Sequence, residues 1–175
     1  MAYSLEHFSR DCGAALESGK PLQQNLDQIA LHLRDLLKNP DFVAATFTPD
    51  TPPGKVILYH DKELDFYIGA HTQQAGKGGA PHSHGESWAV YGNATGFTDM
   101  TEWRRVNPES EDHAVLEATD AYRLSAGETR GYGPGVMHST AHPEKAFVIR
   151  VTGTDLDTIP RYHFRKSRDR ILEKA

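Results

Sequence analysis

The N-terminal part of the chain distributes hydrophobic and polar residues with the period of an amphipathic helix. Between residues 21 and 38, leucine or isoleucine recurs at steps of three, four and one, which places an apolar stripe on one helix face. The preceding segment, 3–18, is similar, and a glycine and a proline separate the two. Asn39-Pro40 ends the second segment. The pattern therefore predicts two helices, 3–18 and 21–38, that pack on the outside of whatever follows.

The rest of the chain consists of short apolar or alternating runs that turn residues divide. Phe42–Phe47 is apolar and β-branched and begins this region, and the segment 49–54, PDTPPG, is a turn-rich connector. Strands are predicted after it at 55–60, 64–72, 81–91, 96–105, 115–124, 128–132, 136–141 and 146–152. Many short strands with regular turn signals are typical of a β-sandwich or a barrel.

The chain is predicted to form a single domain over 1–175, because no linker divides it. We assign 1–40 to the helical segment, 41–165 to the β-barrel and 166–175 to a tail. The C-terminal stretch RYHFRKSRDRILEKA is basic and can end in a helix. Charge runs are usually solvated faces, so we interpret it as a helix or arm that covers the barrel. A site for an anionic partner is the alternative.

Composition excludes several classes of function. Charged residues make up 25% and hydrophobic residues 38%, the balance of an ordinary globular protein. The net charge of -5 gives no basic field for nucleic acid. No apolar run approaches the roughly 20 residues that span a bilayer, and the N-terminus lacks an apolar signal core. We therefore expect a cytoplasmic protein that binds neither nucleic acid nor a membrane.

The numbers of cysteines and histidines add little to the expected class of protein. The single cysteine, Cys12, excludes an intrachain disulfide, which fits a reducing compartment. It lies in the first predicted helix and is interpreted as a packed side chain rather than a nucleophile. The ten histidines are unusual in number, but most are expected to be ordinary surface or core residues.

Candidate chemistry is concentrated in the stretch 76–92, GKGGAPHSHGESWAVYG. His82 and His84 stand one residue apart in a segment predicted to be extended, and residues i and i+2 of a strand point to the same face. Both imidazoles can therefore reach one metal ion, for which neutral imidazole is a good ligand. A third histidine, His138, follows a Pro-Gly turn much later in the chain. We predict that these three histidines hold one metal ion inside a small β-barrel.

This pairing of segments resembles the two motifs of the cupin superfamily. The first cupin motif is a glycine-led stretch with HxH and a following glycine, here 76–92, and the second has PG followed by a histidine, here 134–138. The resemblance implies a mostly β fold, a double-stranded β-helix or jelly-roll barrel, with the two N-terminal helices packed outside. It also implies a metal held between the motifs and the pairing of barrels into a homodimer.

Within the cupins, the chain resembles the cysteine dioxygenase-like group over roughly residues 56–153. Many cupins have a glutamate ligand four or five residues beyond the second histidine, where this chain has Trp88 and Ala89. The resemblance therefore implies a three-histidine site, as in thiol dioxygenases. The phrase PHSHGESWAVYG is similar to the stretch HxHG-x-x-W-x-V-x-G of bacterial members.

Glu86 is the acidic residue that this assignment has to account for. It stands at i+4 from His82, so a continuous strand would direct it to the metal as a fourth ligand. A bulge or bend at Gly85 would change that phase. Glu86 would then form a hydrogen bond around the ligands or lie at the barrel rim.

Three neutral histidines point to an oxygen-using enzyme. They leave a divalent metal its full charge and open positions for O₂ beside an anionic or chelating small molecule, as in non-haem Fe(II) oxygenases. The resemblance adds a thiol substrate that is oxidised to a sulfinate. A metal-dependent cupin of another class, such as an isomerase or a different oxygenase, is an alternative, as is a non-catalytic barrel that binds a small molecule. Fe(II) is the expected metal, although nickel, zinc, copper or manganese can occupy such a site in purified protein.

The chain departs from cysteine dioxygenases where they bind substrate. Asp61 stands where those enzymes have an arginine that anchors the substrate carboxylate. The stretch 149–153 keeps no member of their Ser-x-His-x-Tyr relay, and no cysteine lies near Ala89 to form their thioether crosslink. The identity of the substrate therefore stays open.

Six side chains near the motifs are candidates for a substrate pocket. They are Trp88, Tyr91, Arg104, Tyr132, Arg150 and His71. Aromatic residues at such positions are more often barrel core than substrate contacts. By strict alternation only one of Arg104 and Arg105 faces inward, where a guanidinium would match a carboxylate. Arg150 interrupts the apolar strand FVIRVTG, so its charge must be paired or exposed. His71 and His142 are interpreted as rim or hydrogen-bonded histidines.

Overall fold

The computed structural model of the protein describes residues 3–160, 163–167 and 170–173, with three helices and eleven strands in those ranges. The helices are α1 (Leu5–Leu16), α2 (Leu22–Leu37) and α3 (Pro40–Thr46). The strands are β1 (Gly54–Asp61), β2 (Phe66–Gln73), β3 (Lys77–Gly78), β4 (Ala89–Thr95), β5 (Thr98–Arg105), β6 (Leu116–Leu124), β7 (Thr129–Tyr132), β8 (Met137–His142), β9 (Ala146–Thr152), β10 (Phe164–Ser167) and β11 (Arg170–Glu173). The predicted mostly β class is confirmed.

Two antiparallel sheets form the body of the structure. The five-stranded sheet has the order β1-β2-β9-β4-β7, and the four-stranded sheet has the order β3-β8-β5-β6. Strands that are distant in sequence are therefore neighbours, for example β2 beside β9 and β5 beside β8. This arrangement of two facing antiparallel sheets agrees with the predicted double-stranded β-helix.

The five-stranded sheet lies between the helices and the four-stranded sheet. Its residues Val90 and Ile149 belong to a core cluster with buried residues of α1 and α2. Their chain neighbours Tyr91 and Val148 point to the other face and belong to a second cluster, which includes Met100 of the four-stranded sheet. Side chains alternate along a strand, so the same sheet can line both cores. The prediction that the helices pack outside the barrel is confirmed.

Helix α2 approaches the sheet closely because two strand positions are glycine. A Cβ atom on Gly92 would lie 2.8 Å from side-chain atoms of Leu33 and Leu37, and one on Gly131 would lie 2.9 Å from Leu26. The leucines of the predicted apolar stripe therefore pack directly on β4 and β7. Cys12 of α1 is fully buried in the same cluster, as expected of a packed side chain.

The segment that follows α2 is a helix rather than part of the β region. Asn39 caps α3, because its side chain accepts hydrogen bonds from the backbone N–H groups of Asp41 and Phe42. Pro40 occupies the first turn, where its missing N–H costs nothing. These local signals outweigh the β-branched composition of 42–47, whose assignment to the β region was wrong.

Two further elements differ from the prediction. The strand predicted over 81–91 begins only at Ala89, and the preceding residues form a loop in which Gly85 has a φ of 60°. The basic tail does not form a helix where the structure describes it, because Phe164–Ser167 and Arg170–Glu173 pair as antiparallel strands. In the described ranges, no helix has the length and apolar character that crossing a bilayer requires.

Candidate metal centre

The structure brings the three predicted histidines together at one end of the barrel. His82, His84 and His138 each offer one ligand atom, and these atoms all lie within 4.8 Å of one another. His84 and His138 are 1% and 0% exposed, whereas His82 is only partly buried. The arrangement thus has two buried members and one member that is partly accessible to solvent. Three nitrogens at this spacing can hold one metal ion.

Backbone hydrogen bonds, rather than a continuous strand, position the two motifs. The N–H of His82 donates to the carbonyl of His138, and the N–H of His138 donates to the carbonyl of His82, both at 2.9 Å. The N–H of Gly135 donates to the carbonyl of Gly85, also at 2.9 Å. The turn that carries the first two histidines is therefore attached directly to the turn that precedes β8. Residue alternation in a strand was the wrong reason for a correct convergence of His82 and His84.

The ring of His82 is oriented for metal binding through Nε2. Its Nδ1 lies 3.0 Å from the carbonyl oxygen of Ala80. A carbonyl oxygen can only accept, so this contact favours the tautomer that carries the proton on Nδ1 and the lone pair on Nε2. A hydrogen bond of this kind commonly fixes the tautomer and orientation of metal-ligating histidines.

His138 is a buried polar side chain with no hydrogen-bond partner in the described structure. Both of its ring nitrogens are inaccessible and unpaired. Burial, together with the nearby His82 and the charge of Arg150, lowers the pKa of His138 to about 3, so the ring is neutral near pH 7. Buried polar groups without partners are costly and rare, and a bound metal would supply the missing partner. This fit between residue and metal supports a metal site.

Two tyrosines form an aromatic wall beside the histidines. The ring centroid of Tyr132 lies 4.8 Å from that of His138, and the ring of Tyr91 stands edge-on to His138 at 5.7 Å. The hydroxyl of Tyr91 is 3.1 Å from Nε2 of His84, whereas the hydroxyl of Tyr132 is 2.6 Å from that of Tyr122. Both tyrosines of the predicted pocket therefore border the site, but only Tyr91 directs its hydroxyl to a candidate ligand.

Arg150 and His71 line a small pocket whose lining residues do not include the three histidines. Arg150 lies opposite Tyr91 of β4 and Gly69 of β2, and its guanidinium carbon is 5.8 Å from the centre of the Tyr91 ring. Its Nε is buried without a hydrogen-bond partner in the described structure. Burial and the charge of Arg150 lower the pKa of His71 to about 3. The pocket therefore combines the positive charges of Arg150 and Lys55 with the carboxylate of Asp155 and a neutral imidazole.

The remaining predicted site residues lie elsewhere. Trp88 belongs to the core cluster that packs against the helices. Arg104 is exposed and pairs with Glu117 at 2.9 Å. Arg104 is therefore the outward-facing member of the predicted pair, and the partly buried Arg105 donates hydrogen bonds to backbone carbonyls of the loop 108–113, so neither guanidinium is directed to the histidines. Glu86 is exposed and lies outside the three-histidine group, so the structure gives no support to its role as a fourth ligand.

Two residues near the site were missed by sequence reasoning. The ring of His163 stacks on that of His82 with 5.6 Å between centroids, and the two residues form a backbone bridge. Glu102 lies opposite His138 on the neighbouring strand, and its carboxylate accepts hydrogen bonds from Tyr122 and Arg130. Neither residue belongs to a motif, and only the register of the strands or the path of the C-terminal segment reveals them.

Comparison with known proteins concerns the fold. No protein-family model and no curated protein matches the chain. The chain is similar to the Cnp3 cupin domain of Schizosaccharomyces pombe, with 12% identity, 61% of this chain and 71% of that chain covered, and a TM-score of 0.46. It is also similar to a cupin-2 domain protein from Shewanella frigidimarina, with 14% identity, 61% of this chain and 84% of that chain covered, and a TM-score of 0.44. A cupin superfamily protein from Desulfitobacterium hafniense has 9% identity, with 65% of this chain and 87% of that chain covered, and a TM-score of 0.46. The fold is established by the two antiparallel sheets, and a likeness of this size carries nothing about function.

Proposed function

We propose that the protein is a mononuclear non-haem Fe(II) dioxygenase, similar to the cysteine dioxygenase-like group of cupins. His82, His84 and His138 would hold the metal. The observation that carries the proposal is the convergence of three imidazoles, one of which, His138, is fully buried with both ring nitrogens unpaired. A buried neutral imidazole without a hydrogen-bond partner fits the role of a metal ligand.

In this proposal, the ligand set favours an oxygen-using enzyme. Three neutral ligands leave bound Fe(II) with its charge and with open positions at which O₂ and a small chelating molecule can meet. The chain itself supplies the walls of the site. Tyr91 and Tyr132 are 8% and 2% exposed and exclude water on one side, while the partly exposed His82 marks the side from which a substrate enters.

The charge beside the site favours an acidic substrate. The guanidinium carbon of Arg150 lies over the Tyr91 ring, 5.8 Å from its centre, and the Nε of Arg150 has no hydrogen-bond partner in the described structure. A carboxylate is the group that guanidinium binds best. We therefore propose a small thiol or another small chelating acid as the substrate. The expectation of a thiol group rests on the resemblance of the motifs, and the expectation of an acidic group rests on the charge of Arg150.

Asp61 has a structural role that explains its departure from cysteine dioxygenases. Its carboxylate accepts hydrogen bonds from the backbone N–H groups of Glu63 and Leu64 in the β1–β2 turn. These bonds, the Leu64 bond first, lower the pKa of Asp61. The side chain thus closes a turn, and in this proposal the positive charge for the substrate comes from β9 instead.

Metal analysis and oxygen uptake test the proposal. The bound metal of the purified protein is quantified and removed with a chelator, and the protein is loaded with Fe(II) under anaerobic conditions. Oxygen uptake is then measured with an oxygen electrode in the presence of small thiols and of non-thiol acids. We expect one metal per chain, loss of most bound metal in His138→Ala, and O₂ uptake with at least one acid. His113→Ala is the matched control, because that histidine lies outside the three-histidine group.

Three outcomes would contradict parts of the proposal. Full metal occupancy in His138→Ala would refute the three-histidine site. An iron-loaded sample that consumes no O₂ with any compound of the panel would refute the dioxygenase activity. Oxygen uptake with non-thiol acids alone would refute a thiol as the substrate. The cytoplasmic location and the homodimer remain predictions that accompany this proposal, and size-exclusion chromatography with light scattering tests the homodimer.

A further inference from the structure

One pocket of the structure contains a guanidinium whose donors lack an acceptor. Arg150 lines this pocket together with Lys55 and His71, and the three candidate metal ligands are not among its lining residues. The Nε of Arg150 is buried without a hydrogen-bond partner, and Arg150 forms no ion pair within the described residues. The ring of Tyr91, 5.8 Å from the guanidinium carbon, adds a cation–π attraction but no hydrogen bond. A buried donor without an acceptor is costly, so Arg150 needs a further partner.

The strand register places His71 beside this guanidinium. Gly69 of β2 lies opposite Arg150 of β9, and His71, two residues along β2, faces the same side of the sheet. A Cβ atom on Gly69 would lie 3.2 Å from Nε2 of His71. The imidazole therefore extends over the glycine that pairs with Arg150, and the missing side chain of Gly69 leaves room at the floor of the pocket.

His71 is the second polar group of the pocket that can bind an incoming ligand. It is 9% exposed, and its ring nitrogens form no hydrogen bond among the described residues. Burial, followed by the charges of Arg150 and Lys55, lowers the pKa of His71 to about 3, so the ring is neutral near pH 7. A neutral imidazole has one N–H donor. The pocket thus offers donors from Arg150 and His71 to one group.

The other charges of the pocket compensate one another. Nζ of Lys55 lies 2.7 Å from a carboxylate oxygen of Asp157 and 3.8 Å from one of Asp155. The carboxylate of Asp155 also accepts a hydrogen bond from the backbone N–H of Asp157. Lys55 is therefore paired with acidic residues, whereas the charge of Arg150 is not compensated in this way. The enclosed space is about 10 Å³, which admits only a small group.

We propose that Arg150 and His71 form a binding site for a small anion, separate from the metal centre. The occupant is a carboxylate or an inorganic anion of similar size, which accepts hydrogen bonds from the guanidinium and from one imidazole N–H. Two sources supply this chemistry, a free anion and the acid group of a substrate. The site itself needs no metal ion, and only the second source rests on the proposed function.

Titration of the apo-protein with formate tests the site in the absence of a metal. The Nε–H group of Arg150 gives its own signal in a proton–nitrogen correlation NMR spectrum, and the absence of this signal from Arg150→Lys assigns it. We expect formate, added at constant ionic strength, to shift the Arg150 signal until the site is saturated. Calorimetry of the same titration gives the affinity.

Variants of the pocket should bind formate more weakly. We expect a loss of roughly tenfold in Arg150→Met, which lacks the charged donor, and of roughly fivefold in His71→Leu, which lacks the neutral one. Gly69→Ala places a methyl group on the floor of the pocket and should also weaken binding, so it is the second variant if Arg150→Met does not fold. Arg123→Met is the matched control, because that guanidinium is exposed and pairs with Asp99 at 2.7 Å, and formate affinity should be unchanged.

Mercaptoacetate distinguishes the two sources of the anionic group. It is added to formate-saturated apo-protein and to formate-saturated protein loaded with Zn(II), a metal without redox chemistry. If the acid group enters the pocket while the sulfur binds the metal, mercaptoacetate displaces formate from the metal-loaded protein at a lower concentration than from the apo-protein. Displacement at equal concentrations would identify a free anion as the occupant.

Two outcomes would overturn the anion site. One is an Arg150 signal that formate leaves unshifted, and the other is equal formate affinity in the wild type, Arg150→Met and Gly69→Ala. The proposed function is tested separately. A wild-type protein that binds no metal would refute the three-histidine site, whereas the formate titration of the apo-protein would be unaffected.

Discussion

At the scale of single residues, burial keeps a histidine neutral but does not by itself make it a candidate metal ligand. His138 and His71 are both held neutral by burial, each with a pKa of about 3, but only His138 lies among other ligands. His84 is also buried, whereas His82 is partly open to solvent. The site thus combines a sealed interior with one accessible ligand.

His71 should make the folded state sensitive to acid. Its pKa in the folded protein, about 3, is below the ordinary value of 6.5, so the unfolded chain binds a proton that the folded chain excludes. Stability is therefore unaffected above pH 6.5 and falls as the pH decreases from 6.5 toward 3. We expect His71→Gln to lose stability less steeply than wild type over this range, as measured by urea unfolding of the apo-protein at several pH values. An unchanged slope would contradict the assigned burial, and His113→Gln, a partly exposed histidine, is the control.

The identities of the three candidate ligands were predictable from sequence because their signal is local. Two histidines separated by one residue, and a third after a Pro-Gly turn, form short motifs. Tyr91 was predicted only as a pocket candidate and Glu102 was not predicted, since the direction of each side chain depends on strand register. A bulge such as the one between Glu102 and Trp103 changes that register without a clear signal in the sequence.

At the scale of elements, the contact between α2 and the five-stranded sheet holds β4 and β7 from the outside of the barrel. The periodicity of α2 was readable because its leucines repeat over four turns. The glycines that receive them had no such pattern, since a glycine in a strand is compatible with several roles. Helix α3 was missed because its capping residue, Asn39, was interpreted as the end of α2.

Gly92→Ala should weaken this contact. The added methyl group would lie 2.8 Å from atoms of Leu33 and Leu37 and 2.9 Å from Thr129, so these side chains must move. Overpacking of this kind destabilises a protein by about 1–3 kcal/mol. Gly133→Ala is the control, because its methyl group would meet its nearest atom at 3.8 Å. Equal stability of the two variants in urea unfolding would show that α2 does not lie as close to β4 as described.

At the scale of the whole molecule, the metal should stabilise the folded state. The three ligands come from a loop and a distant strand, so the unfolded chain has no comparable site. A ligand that binds only the folded state stabilises it by about 2.7 kcal/mol when its concentration is a hundred times Kd. We expect the melting temperature to rise with Fe(II) or Co(II), and the rise to disappear in His138→Ala. A rise of equal size in that variant would place the metal elsewhere.

The fold class was the most predictable property at this scale, because many short strands and two amphipathic helices permit few architectures. The order of strands in each sheet was not predictable from composition or periodicity. Neighbouring strands such as β2 and β9 are far apart in sequence, so their pairing depends on long-range packing rather than on local sequence signals.

The paired hydrogen bonds between His82 and His138 also have a consequence for folding. They join segments that lie far apart in sequence, and such contacts form only after a large loop has closed. The ligands therefore converge only when β8 has taken its place in the four-stranded sheet. A nascent or partly folded chain would lack the third imidazole beside His82 and His84, so this architecture would delay the binding of a metal until the barrel is assembled.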